Sequence, residues 1–244
     1  MIRQIILIVT ILISTLSVSA QKAKLVFDMK YGFVKGGRAI IEISETKYKN
    51  IPAIRYSIVG RTTGLTDKLF GINDVYETVV DAQTDLPLKS IRNIKEKKYR
   101  WYNETLYFQD FDSIYSQRSG GRKVSHNLVD IVSVFFYFVN NHLDDNIQNG
   151  FDITLPTFHA DKISNVTIRY LGEETIKTAL GNVETLVLAP LVDKGKLLNR
   201  SDGLRIYISK KERMPVLLEF DTRFGSLKAL LRSYQVDGVE QINR

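Results

Sequence analysis

The chain has 244 residues and carries 34 lysines and arginines against 27 aspartates and glutamates, a formal net charge of +7. That length suits one large domain or two small ones and is enough to bury a core without crosslinks. It contains no cysteine, which excludes disulfides, thiolate chemistry and a lipid anchor on a cysteine.

The first element is a leader. Arg3 gives the start a positive charge, Ile5 to Leu16 is apolar apart from Thr10, Ser14 and Thr15, and Val18-Ser19-Ala20 places small residues before Gln21. This pattern predicts a signal peptide over residues 1–20, cleaved between Ala20 and Gln21, and a single exported β domain over 21–244. The apolar run falls short of the ~20 residues that span a bilayer, and no later stretch approaches that length. No transmembrane span is therefore expected in the mature chain, which would be periplasmic or outer-envelope associated. A basic exported protein meets anionic lipid or acidic polysaccharide, or uses its charge for solubility. Nucleic acid is not an expected partner there.

The mature chain reads as strand after strand. Residues 24–34 and 38–46 flank Lys35-Gly36-Gly37, which predicts a hairpin turn. Ile54, Tyr56 and Ile58 alternate with Arg55 and Ser57, the period of a half-buried strand. Further strands are predicted near 73–82, 88–96, 98–103, 105–109 and 113–119, with Gly120-Gly121 ending the run. One segment departs from this. Leu128, Ile131, Val132, Phe135, Phe136 and Val139 recur at helical spacing, which predicts one apolar helix near 127–141, capped by Asn127, with Asp130 in its first turn and His142 in its last. A helix apolar nearly all round is buried or inserted into a cavity. Strands resume near 151–156, 164–172, 174–179, 182–190, 204–210, 215–223 and 226–237, with a long polar loop over 193–203. The expected fold is mainly β: about fourteen antiparallel strands, too many for a flat sheet, forming a strongly curved sheet or barrel around the helix.

Several stretches carry a resemblance. They are Tyr31 to Ala39, Asp81 to Pro87 leading to Ser90 and Arg92, Leu128 to Ser133, Leu180 to Thr185 before a strand ending at Pro190, Ile206 to Ser209 leading into Met214-Pro215-Val216, and Gly225-Ser226-Leu227. Their order and spacing resemble the exported bacterial family catalogued as domain of unknown function 3108, from about Leu25 to Tyr234. The resemblance implies a mainly β exported protein and brings no established activity and no catalytic residues. In outline the chain is also similar to periplasmic lipoprotein carriers, which are curved sheets around an apolar cavity, an analogy of architecture alone.

The chemistry-bearing residues are sparse. The mature chain has His126, His142 and His159 only, without an HExxH pattern, so no metal site is predicted; His159 and Asp161 offer two ligands at most. There is no G-x-S-x-G elbow, and Ser125 beside His126 reads as helix capping. Among the carboxylates no pair is singled out for glycoside hydrolysis; Glu173-Glu174 and Asp144-Asp145 read as solvated turns. No cofactor is predicted. Lys95 to Tyr102 interleaves charges with Tyr99, Trp101 and Tyr102, suited to stacking on a ligand or seating at a lipid interface, or to a hairpin strand with one wet face. Phe135, Phe136 and Phe138 give the helix large adaptable surface for core packing or for lidding a cavity. The expectation is a non-enzymatic envelope protein that binds a lipid or other amphipathic ligand at Tyr99, Trp101, Phe135, Phe136 and Phe138, or acts as an envelope accessory factor. The alternatives are a structural or protein-interaction module with an envelope protein as partner, and a polysaccharide hydrolase, which would need two carboxylates about 5–9.5 Å apart in a cleft.

Overall fold

The computed structural model describes residues 21–144, 146–191, 203–222 and 225–241. The leader with its cleavage site at Ala20, and nearly all of the polar loop expected over 193–203, lie outside the described residues.

The first half is a meander. Strands β1 (Gln21–Tyr31), β2 (Val34–Tyr48) and β3 (Ile51–Thr62) are followed by a short helix α1 (Gly64–Phe70), then β4 (Asn73–Asp81), β5 (Pro87–Glu96), β6 (Tyr99–Phe108), β7 (Ser113–Ser116) and β8 (Gly120–Lys123). A two-residue strand β9 (Val129–Asp130) leads into helix α2 (Ser133–Asn141). The second half runs β10 (Asp152–His159), β11 (Lys162–Thr178), β12 (Gly181–Leu191), β13 (Leu204–Ser209), β14 (Pro215–Thr222), β15 (Gly225–Val236) and β16 (Val239–Glu240). All sixteen join one sheet in the order 8-7-6-5-4-3-2-1-15-14-13-12-11-10-9, with β16 pairing β15. Every ladder is antiparallel except β9 on β10.

Turn chemistry fixes the hairpins. Lys49-Asn50, between β2 and β3, and Ala160-Asp161, between β10 and β11, hold both residues at positive φ, which matches the twist of the flanking strands. The first hairpin differs from expectation. It turns at Gly32-Phe33, with Gly32 at φ 57°, while Gly36 and Gly37 lie within β2. Gly37 is needed there for space: a Cβ would stand 2.3 Å from the carbonyl oxygen of Arg61 on β3. Two predicted breaks also vanish. β6 runs unbroken through Glu104, and β11 passes a bulge between Tyr170 and Gly172 without ending. Glu173 and Glu174 are thus strand residues paired with Leu186 and Thr185, not a turn. Helix α1 was not anticipated. It buries none of its residues, leaving Leu65, Leu69 and Phe70 exposed, and is tied to β2 by Thr66 Oγ1 donating to the Gly36 carbonyl at 2.6 Å.

The predicted helix start at Asn127 is also corrected. Asn127 has φ 54°, and Val129-Asp130 pair with Thr157-Phe158 of β10 instead of coiling. The helix is capped by Asp130. Its Oδ1 accepts from the backbone N–H groups of Val132 (2.8 Å) and Ser133 (3.1 Å), and Ser133 Oγ in turn accepts from the Asp130 N–H at 2.9 Å. That reciprocal pair is a capping box. α2 then lies within the curl of the sheet. Phe136 and Val132 join the core of β1 to β4, where Leu25, Phe27, Ile41, Ile43, Tyr56 and Val80 are buried. Val134, Phe138 and Val139 join a second core with Leu155, Ile168, Leu186, Leu188 and Ile208 of β10 to β13. The helix is the wedge between the two halves.

The sheet is not closed by a ladder between β8 and β9. Its two ends meet through side chains. Thr78 of β4 donates to Asp130 Oδ2 at 2.6 Å, and Gln109 donates to the carbonyls of Pro87 and Leu128. Ser116 and Ser119 donate to Asp161 Oδ1 at 2.7 and 2.8 Å, Arg122 pairs with the same oxygen at 3.0 Å, and Tyr107 meets Phe158 edge-on at 6.4 Å.

Candidate ligand cavity and its polar neighbour

Alternation along each strand sends one set of side chains into the curl. On β2, β12, β13 and β14 that set is largely aliphatic, and on β3 Tyr56 stands between Ile54 and Ile58. With α2 laid across it, the packing leaves a cavity of about 230 Å³. Its lining comprises Ile41 and Ile58 on one side, Leu188, Ile206 and Leu218 on the other, and Val134, Phe135 and Phe136 from the helix, with Ile131, Val132, Val166, Ile168, Pro190, Leu204 and Pro215 completing it. Not one of these side chains is polar. For scale, an engineered apolar cavity of ~150 Å³ stays dry and takes up benzene. The roof of the cavity is held by a stack, Phe136 on Tyr56 with ring centroids 3.8 Å apart, and by Phe135 edge-on to Phe136 at 5.1 Å. Burial pushes the Tyr56 phenol far up, so it stays neutral.

Ile131 and Val132 line a second, smaller space of about 30 Å³, formed by β4, β5, β6 and the β10–β11 turn. On β5, Arg92 shares its face with Ser90 and the buried Ile94, so its side chain enters the curl. Its guanidinium lies 4.5 Å from the Trp101 ring and 5.7 Å from the Tyr76 ring. Arg118 sits on the same Trp101 at 5.0 Å. His159 and Asp161 complete this wall from β10 and its turn. Burial and the charge of Arg92 push the His159 imidazole down, which keeps it neutral, and its buried Nδ1 has no hydrogen-bond partner. Burial raises the Asp161 carboxyl, but the Ser116 and Ser119 hydroxyls and the Arg122 and Arg118 charges outweigh that and hold it below the usual range. Burial pushes the Asp130 carboxyl up, against the hydrogen bonds from Thr78, Val132 and Ser133.

The candidate residues from sequence separate into distinct places. Phe135 and Phe136 line the cavity. Phe138 faces the second core and is fully buried. Trp101 belongs to the polar space, and Tyr99, one turn of the pleat nearer the β5–β6 hairpin, stands 52% exposed outside both. Gln21 begins β1. Of the three histidines of the mature chain only His126 is exposed, and it lies 2.9 Å from Asp112. His142 at the end of α2 is not a cation there: burial pushes it down, and its Nε2 is buried without a partner. Ser125 and Asn127 do not cap α2, and Asp161 lies with Ala160 in the turn after His159. The residues missed were Arg92 and Arg118 and the aliphatic lining. Arg92 had a signal, since it alternates in phase with Ser90 and Ile94.

Among the described residues no three His, Asp or Glu side chains gather as a metal ion would require, and no helix is long and apolar enough to cross a membrane. No curated protein shows significant sequence similarity to the chain. In fold it is similar to the crystal structure of a β-barrel-like protein of domain of unknown function DUF1849 from Brucella abortus, with a TM-score of 0.57, 10% identity, and 90% of this chain and 99% of that one covered. At that identity the likeness is one of fold alone. The model of a family described as protein of unknown function, DUF3108, matches residues 26–232, from the first strand of the curl to the last long one, and the chain belongs to that family.

Proposed function

We propose that the protein is an exported, non-enzymatic binding protein of the cell envelope that shelters the apolar part of an amphipathic ligand between α2 and the sheet. The observation that carries this is the 230 Å³ cavity lined by aliphatic and aromatic side chains alone. A core that served stability only would gain by filling that space, because each unfilled methyl-sized gap costs about 1 kcal/mol. The leader-like first twenty residues and the basic charge support an envelope setting.

Native mass spectrometry of the mature protein purified from its own host, followed by organic extraction, tests the reading. A stoichiometric added mass that extracts as lipid is the expected result. In parallel, straight-chain alcohols should bind with affinity rising about fourfold per methylene until the cavity is full, the increment for burying one CH₂ group. Leu218→Phe, which takes up part of the cavity from β14, should weaken that binding and shorten the longest alcohol accepted while leaving thermal stability unchanged or higher. A clean apo mass with no alcohol binding would overturn the proposal and favour an interaction module.

A further inference from the structure

The polar space beside the cavity has a charge pattern that a mere wall does not need. Arg92 points into the curl, yet among the described residues it is in no ion pair, and its only hydrogen bond is a long one, 3.5 Å from Nε to Tyr76 Oη. Arg118, exposed at the rim on the same indole, donates to the Tyr102 carbonyl at 3.4 Å and is in no ion pair among the described residues. The carboxylates that border the space are already engaged: Glu77 with Arg55, Asp161 with Ser116, Ser119 and Arg122, and Asp130 with Thr78, Ser133 and two backbone N–H groups. What remains uncommitted in its wall is the guanidinium of Arg92 and the buried Nδ1 of His159. A half-buried guanidinium with an unused donor fork is set for a carboxylate or phosphate oxygen pair.

Resting on the cavity reading above, we propose that Arg92 and Arg118, seated on Trp101, bind the anionic head group of a single-chain amphiphile whose tail lies in the apolar cavity. Ile131 and Val132, which line both spaces, form the sill that head and tail share. The head space of about 30 Å³ holds two or three water-sized volumes, so it takes a carboxylate or a primary phosphate and not a sugar or a glycerol-linked head. A cationic head would meet like charge, and a neutral one would leave the Arg92 fork unanswered.

The test compares ten-carbon probes with one tail and different heads on the full mature chain: decanoate, decyl phosphate, decanol and decylammonium. Trp101, the only tryptophan, reports on the head site by its fluorescence, and calorimetry reports affinity. Decanoate or decyl phosphate should bind at least about tenfold more tightly than decanol, the scale of one charge-assisted hydrogen bond, and should change Trp101 emission. Decylammonium should bind more weakly than decanol. Arg92→Met, which keeps the stem on the two rings, and the exposed Arg118→Met should each shrink the gap between anion and alcohol while leaving decanol affinity unchanged. If decanol binds and the anions bind no better, or if both variants keep the full gap, the head-group site is overturned and the cavity stands. If no probe of any head binds, both are overturned.

Discussion

At the scale of single residues, Asp130 and Gly37 carry the sharpest consequences. Asp130 is buried, caps α2 and ties β9, the last strand of the order, to β4 through Thr78. Its pKa is raised by burial, so the folded state holds the proton more tightly than the unfolded chain, whose carboxyl titrates near 3.8. This group therefore favours folding most below that value, and the advantage is lost as pH rises through the raised folded pKa. Asp130→Asn keeps an acceptor for the Val132 and Ser133 N–H groups and removes the ionisation. Urea titrations should show it near wild-type stability at neutral pH, with the loss of stability as pH rises above ~3.8 reduced. Asp130→Ala should lose about 2 kcal/mol or more, because the cap goes and buried donors are left unpaired. Gly37 makes a different demand. A side chain there meets main chain at 2.3 Å, whereas Gly60 on β3 faces open space at ordinary φ. Gly37→Val should cost about 2 kcal/mol or more by urea unfolding, from forced backbone shifts, and Gly60→Ala should be neutral to slightly stabilising. Equal costs at the two glycines would remove the close-approach explanation.

At the scale of elements, α2 serves the fold and the cavity with different side chains. Phe136 is buried, stacked on Tyr56 and packed into the first core, so Phe136→Ala should cost about 3–5 kcal/mol. Phe135 is half-buried on the cavity wall, so Phe135→Ala should cost less and enlarge the space. In the alcohol series it should move the preferred chain length upward by a few carbons. Denaturation for the first variant and the chain-length optimum for the second check this division; a Phe135 loss as large as that of Phe136 would mean the helix is core alone. Most of these elements were legible in the sequence because each is specified locally. Alternation of Ile54, Tyr56 and Ile58 gave β3, and apolar spacing gave a helix ending at Asn141. The errors fall where a distant partner decides. Val129-Asp130 is strand because β10 lies beside it, Gly37 is glycine because Arg61 crosses it, and β11 survives its bulge because β12 pairs on both sides of it. The site shows the same split. The phenylalanines of α2 announced an apolar surface, but which of them faced the cavity depended on packing. Arg92 was in phase with Ile94, and only the closing of the curl made that phase the inside.

At the scale of the whole molecule, the decisive feature is that sixteen strands curl without a final ladder, so the barrel-like shape depends on a seam of side chains. The seam joins residues far apart in sequence, Thr78 to Asp130 across 52 positions and Ser116 to Asp161 across 45, which is why no local pattern foretold it. Ladder hydrogen bonds open cooperatively, whereas a seam of separate contacts can part while both halves stay folded. Asp161 is its most connected group, bonded to Ser116, Ser119 and Arg122. Its folded pKa lies below the unfolded value near 3.8, the opposite of Asp130. Its contribution is therefore fully present above that value and is lost as pH falls through the depressed folded pKa. Because the pair with Arg122 is partly solvated, its worth is on the order of 1 kcal/mol. Asp161→Asn should accordingly be destabilised by about that much at neutral pH, and the deficit should close below pH ~3.8 as the wild type protonates. Hydrogen exchange read by mass spectrometry should place the change. Amides of β7, β8, β10 and the start of β11 should exchange faster in the variant, while β1, β2 and β15, in the middle of the strand order, keep wild-type protection. The same variant should release a bound amphiphile faster, since the polar space borders this seam. Uniformly faster exchange across all strands would mean that the sheet opens as one cooperative unit and that the seam is no separate gate to the cavity.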